Sequence, residues 1–143
     1  MSQITREQLE ELTRERLPFA KAYRFVIENL AAHEAWVRLP ANGEFLRPGG
    51  TISGPAMMAL ADYAMYAAIL ATIGPVELAV TTNLNINFLH KPEPGDLVAK
   101  ARLIKLGKRL AVGDVPIFGG DGSVMVAHAT ATYSIPPQRQ PVR

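Results

Sequence analysis

The sequence predicts an α+β fold in which one long apolar helix is wrapped by an antiparallel β-sheet. Two features of the 143-residue chain carry this expectation. The first is "SGPAMMALADYAMYAAILATIG", residues 53 to 74, which is apolar on nearly every side and must be covered by other structure to be stable in water. The second is the run of four strand-like segments that follows it, punctuated by turn residues.

The helix is delimited by its own residues. Ser53 can act as N-cap, Pro55 sits where its missing N–H does no harm, and Gly74-Pro75 ends the helix. About 19 residues at 1.5 Å each give a length of about 28 Å. A membrane span is disfavoured, because seven of residues 54 to 73 are alanine and Asp62 stands near the middle, where insertion costs roughly 3 kcal/mol. Asp62 is itself the anomaly: an unpaired carboxylate in a buried helix costs several kcal/mol, so it is paired, exposed or used. Its helical neighbours Met58, Ala59, Met65 and Tyr66 offer no cation.

The wrapping strands are expected at 76–90, 96–106, 109–118 and 123–135. Turn signals separate them at Pro92 to Asp96, at Gly107-Lys108 and at Gly119 to Gly122, so the last three read as an antiparallel meander. Upstream, "EAWVRLP" (34–40) reads as another strand and residues 5–16 as a polar-faced helix. The expected organisation is one domain over 1–143, with 1–20 a helical extension and 136–143 a tail.

Composition excludes several classes. Hydrophobic residues at 48% and charged residues at 20% exclude disorder, and a net charge of +2 is too small to indicate nucleic acid as partner. With no cysteine there is neither a disulfide framework nor a thiolate zinc site, and His33, His90 and His128 stand singly, so no metal is expected. "GGDG" precedes a strand, whereas a phosphate loop opens a helix, and it reads as a hairpin turn. The N-terminus lacks the apolar stretch of a secretory signal, which makes a cytoplasmic protein with no membrane partner the expectation.

Three stretches carry a resemblance: "GGTISGPAMMALADYAMYAA", then "VTTNLNINFLHKPEPGD", then "ARLIKLGKRLAVGDVPIFGGDGSVMVAHATATY". Over about residues 34 to 135 the chain resembles the acyl-CoA thioesterase branch of the hot dog superfamily, of the phenylacetyl-CoA thioesterase type. The resemblance implies a hot dog fold, hydrolysis of an acyl-CoA or related acyl thioester, no cofactor, and assembly as a dimer or tetramer.

Thioester hydrolysis needs an activated water or a nucleophile, and donors for the oxyanion. The resemblance assigns Asp62 as general base or nucleophile and the Gly54 amide, at the helix N-terminus, as oxyanion donor. Eight positions of one helix put them about 12 Å apart, too far for one thioester carbon to touch both. If both act on one substrate, the site lies between two chains. The resemblance also asks for a hydroxyl at the start of the strand after the helix. Thr81 and Thr82 both qualify: alternation puts Thr82 in phase with Leu84, Ile86 and Phe88, and Thr81 with Asn83, Asn85 and Asn87, while the resemblance favours Thr81.

Around this core stand candidate substrate-binding residues. Ser53 occupies the position where the family usually has His, Pro55 that of a second Gly, and Arg47 one that is often Asn. Ser53 can still orient a carbonyl, Arg47 suits an anionic group, Met58 suits an irregular acyl chain, and Lys91, Lys108 and Arg109 suit the phosphates of coenzyme A. The lost His and Gly also admit a non-hydrolytic acyl-thioester-binding protein. A dehydratase would need a His where Ser53 stands.

Overall fold

A computed structural model of the chain describes residues 1–137; the part of the expected tail from 138 to 143 lies outside the described residues. The elements run α1 (Arg6–Arg16), α2 (Pro18–Tyr23), β1 (Val26–Ala31), β2 (Glu34–Leu39), β3 (Leu46–Arg47), β4 (Thr51–Ile52), α3 (Gly54–Ile73), β5 (Val80–Phe88), β6 (Leu97–Leu106), β7 (Leu110–Gly119) and β8 (Met125–Ser134). Six strands form one antiparallel sheet in the order β1-β2-β6-β7-β8-β5, and β3 and β4 form a small separate hairpin. The sheet curls around α3, which packs against all six of its strands. This is the hot dog fold.

Local signals delimit the helices. α1 starts at a capping box in which Thr5 Oγ1 accepts from the Gln8 N–H and Gln8 Oε1 accepts from the Thr5 N–H. α3 runs from the Ser53 cap, whose Oγ accepts from the Ala56 N–H, to Gly74, whose φ of +93° only glycine adopts readily. Strands β6, β7 and β8 form the expected meander. The strand expected from residue 76 begins instead at Val80, because the Tyr66 hydroxyl holds the Glu77 carbonyl in a turn.

Two elements carry no clear sequence signal. α2 is a six-residue helix ended by Arg24 in the left-handed region. β1 is an edge strand with Ile27 as its one fully buried residue and a bulge next to it, so no alternation advertises it.

α3 has a mean hydropathy of 1.6 and the length of a membrane span, but 72% of that window is buried within the fold. Small side chains make this burial possible. The inner face of the sheet presents Ala99, Ala101, Ala111, Ala127, Ala129 and Ala131, against which α3 sets Leu60, Met65, Ile69 and Leu70, all fully buried. Each such large side chain contributes about 1.5–3 kcal/mol relative to exposure. At Gly113 of β7 the approach is tight: a Cβ would lie 2.6 Å from the sulfur of Met65.

Candidate active site

Asp62 sits two turns into α3, partly covered, on a stripe with Pro55 and Met58 that the chain itself leaves open. Met58 is 40% exposed, although almost all the rest of the helix is buried. Two hydroxyls converge on one carboxylate oxygen. Thr81 Oγ1 donates to Asp62 Oδ1 at 2.6 Å, and the Tyr133 hydroxyl reaches the same oxygen at 2.8 Å and the Asp62 carbonyl at 2.9 Å. Oδ2 takes no hydrogen bond from the described residues and is not sealed from solvent. Nor does any cation among them pair with Asp62.

A bulge decides which threonine faces the helix. β5 pairs with β8 through Thr81 opposite Tyr133 and Asn83 opposite Thr132, leaving Thr82 as the extra residue. Beyond the bulge Leu84, Ile86 and Phe88 pair with the inward Ala131, Ala129 and Ala127. Strict alternation would therefore have turned Thr82 inward, whereas the inserted residue gives that place to Thr81. The Thr82 hydroxyl instead donates to the Thr132 carbonyl at 3.2 Å, and Asn83, Asn85 and Asn87 face outward and exposed.

Tyr133 is the participant that sequence reasoning missed. The signal was present: in "AHATATYSI" the tyrosine falls in phase with Ala127, Ala129 and Ala131, and a phenol on a buried face needs a partner. Burial pushes its ionisation upward, and the Asp62 charge pushes it further the same way. Its proton is therefore held throughout the ordinary pH range, and the phenol is a permanent donor.

The N-terminal end of α3 forms a second part of the site. Ser53 Oγ occupies the Ala56 N–H, Pro55 has no N–H, and the Gly54 amide has no partner among the described residues. Gly54 lies beside a cleft of ≈ 350 Å³ lined also by Arg47, Thr51, Met57, Phe88 and Lys91. The Phe88 ring covers Gly54, and a Cβ there would stand 3.4 Å from it. Thr51 is 2% exposed, and its hydroxyl has no partner among the described residues. Arg47 and Lys91 are exposed, and neither pairs with an acid among the described residues.

The chain thus gathers Gly54, Ser53, Arg47 and Lys91 at one end and Asp62, Thr81 and Tyr133 further along α3. Met58 lies between. Lys108 and Arg109 stand in the β6–β7 turn beside Leu110, which pairs with Ser134 as Val80 does, at the end of the sheet opposite Phe88. No single copy brings the two pairs of cations together.

A long helix wrapped by an antiparallel sheet is the hot dog fold, and within it Asp62 is held by two hydroxyls. Comparison with known proteins agrees. The family model described as the Thioesterase superfamily matches residues 49–126, and the chain belongs to that superfamily. A candidate thioesterase from Silicibacter sp. is 46% identical with a TM-score of 0.85, over 96% of this chain and 95% of that one. A point mutant of the phenylacetic acid degradation protein PaaI from Thermus thermophilus is 28% identical with a TM-score of 0.72, over 83% and 99% of the two chains. A candidate esterase of Thermoplasma acidophilum is 26% identical over 117 residues, covering 82% of this chain and 87% of the relative. Fold and family together support thioester hydrolase activity.

Proposed function

We propose that the protein hydrolyses an acyl-CoA or a closely related acyl thioester at a site shared by two copies of the chain. Asp62 of one copy is the general base or nucleophile, and the Gly54 amide of the other donates to the oxyanion. The observation that carries this reading is the state of Asp62: Oδ1 is held by Thr81 and Tyr133 while Oδ2 is open on the uncovered stripe of α3. As the base, Oδ2 takes a proton from a water whose oxygen attacks the thioester carbon. The C–S bond then breaks and the proton passes to the departing thiolate, leaving a carboxylic acid and a thiol. As the nucleophile, Oδ2 attacks the thioester carbon directly, the C–S bond breaks and the thiolate departs; water then opens the resulting anhydride to the carboxylic acid and the Asp62 carboxyl group, whose proton passes to the thiolate to give the thiol.

A second copy laid antiparallel along the edge strand β5 would bring its helix N-terminus to this Asp62. Val80 and Phe88 of that strand are 57% and 51% exposed, and with Met58 they provide apolar surface for such a partner. The same arrangement sets Arg47 and Lys91 of one copy at the mouth that Lys108 and Arg109 of the other approach, and four cations suit the phosphates of coenzyme A. The assembly so formed is a dimer or tetramer, placed in the cytoplasm on the sequence reading alone.

Thiol release over a panel of acyl-CoA esters tests the proposal. Wild type should release thiol, while Asp62→Asn should bind without turnover and keep its oligomeric state. Co-expression of Asp62→Asn with Gly54→Pro, which removes the amide donor, should restore activity in mixed assemblies, because one site then has both intact partners. Absence of restoration counts against the shared site. Ser53 engaged as a cap and Pro55 without an N–H favour one other reading, a non-hydrolytic acyl-thioester-binding protein. Tight binding with no thiol release by wild type is its signature.

A further inference from the structure

We infer that Tyr133 is a positioning residue of the reaction, acting through Asp62: its hydroxyl pins Oδ1 and leaves Oδ2 as the single working oxygen. The inference rests on the proposed role of Asp62. Three observations carry it. First, the phenol oxygen lies 2.8 Å from Oδ1 and 2.9 Å from the Asp62 carbonyl, so it fixes the side chain relative to its own backbone. Second, Tyr133 is 3% exposed and packs beside Tyr66, with ring centroids 6.3 Å apart, so the donor is immobile. Third, Thr81 reaches the same oxygen from a different strand, and two donors on one oxygen leave the carboxylate no free rotation.

Electrostatics point the same way. The groups facing Asp62 are Thr81 from β5, Tyr133 from β8 and, one turn on along α3, Tyr66; among the described residues no cation pairs with it. Neutral donors are thus the groups that hold its carboxylate in place. Tyr133 keeps its proton at all working pH values because burial and the neighbouring carboxylate both oppose its ionisation. Thr81, on an edge strand and partly exposed, is the less confined of the two donors.

Tyr133→Phe tests this with the ring and its packing retained. Thiol release should show kcat lowered roughly tenfold with KM little changed, the size expected for one hydrogen bond to a charged group. Site-specific 3-fluorotyrosine at 133, which keeps the hydroxyl, should stay within a few-fold of wild type. A purely structural Tyr133 would lower the unfolding midpoint in Tyr133→Phe and leave kcat of the folded enzyme at the wild-type value, and that result overturns the inference. Asp62→Asn run in parallel separates the two ideas. If it is inactive while Tyr133→Phe keeps the wild-type kcat, only the role of Tyr133 fails. An active Asp62→Asn removes the base reading and this inference with it.

Discussion

The Thr81 hydroxyl donates a 2.6 Å hydrogen bond to Asp62 Oδ1, tying the edge strand β5 to the middle of α3. A hydrogen bond to a charged acceptor is worth about 1.5–3 kcal/mol. Thr81→Val, which keeps the β-branched shape and loses the donor, is expected to lower kcat for thiol release about 10- to 100-fold. Thr81→Ser retains the hydroxyl and should stay within a few-fold of wild type. Equal rates for the valine variant and wild type would remove Thr81 from the site.

The packing of Met65 on Gly113 makes a stability prediction. A Cβ at Gly113 would lie 2.6 Å from both the Met65 sulfur and the Arg102 carbonyl oxygen, and the second of these is backbone that cannot swing away. Gly113→Ala should lower stability by about 1–3 kcal/mol, the usual cost of overpacking. Urea denaturation midpoints compare the two proteins directly, and an unchanged midpoint would mean that the strand pair yields freely.

Thr51 leads to the opposite expectation. Its hydroxyl is buried with no partner among the described residues, and such a group costs about 1–3 kcal/mol. Thr51→Val is isosteric and removes the unmet hydroxyl, so the ligand-free protein should melt at a higher temperature. A lower melting temperature would show that the hydroxyl is bonded after all.

Alkaline pH should weaken the fold. Burial pushes the Tyr63 phenol up to about 12, partly opposed by its hydrogen bond with Thr13, and burial with the nearby Glu77 pushes Tyr66 up to about 12. The unfolded chain releases these protons near pH 10, about two units earlier, so between those values the folded state binds more protons and stability falls as pH rises. The contribution is complete below about pH 10. Urea midpoints should therefore be level up to that point and decline above it, and Tyr66→Phe should decline less steeply.

Much of the helical framework is encoded in residues that act on near neighbours. Thr5 with Gln8, Ser53 with Ala56, and Gly74 begin or end helices through contacts within three or four residues, and the sequence displays those contacts openly. Asp62 was legible for a different reason, as the one charge in a helix that burial would otherwise leave apolar. The Gly54 amide was expected as a donor from its place at the helix N-terminus and from the family resemblance. β1 and α2 were not legible, because an edge strand with one buried side chain and a six-residue helix leave no periodic pattern.

By itself, then, the sequence determined that a long apolar helix would form at Gly54–Ile73, that a β-sheet would wrap it, and that Asp62 needed an explanation. Only the tertiary structure decided which groups answer that charge. β5 returns to pair with β8, and the bulge at Thr82 turns Thr81 inward beside Tyr133. Propensity and periodicity act over a few residues, whereas the register of two strands, and the one-residue insertion that reverses a face, is settled by how both strands pack on the same helix.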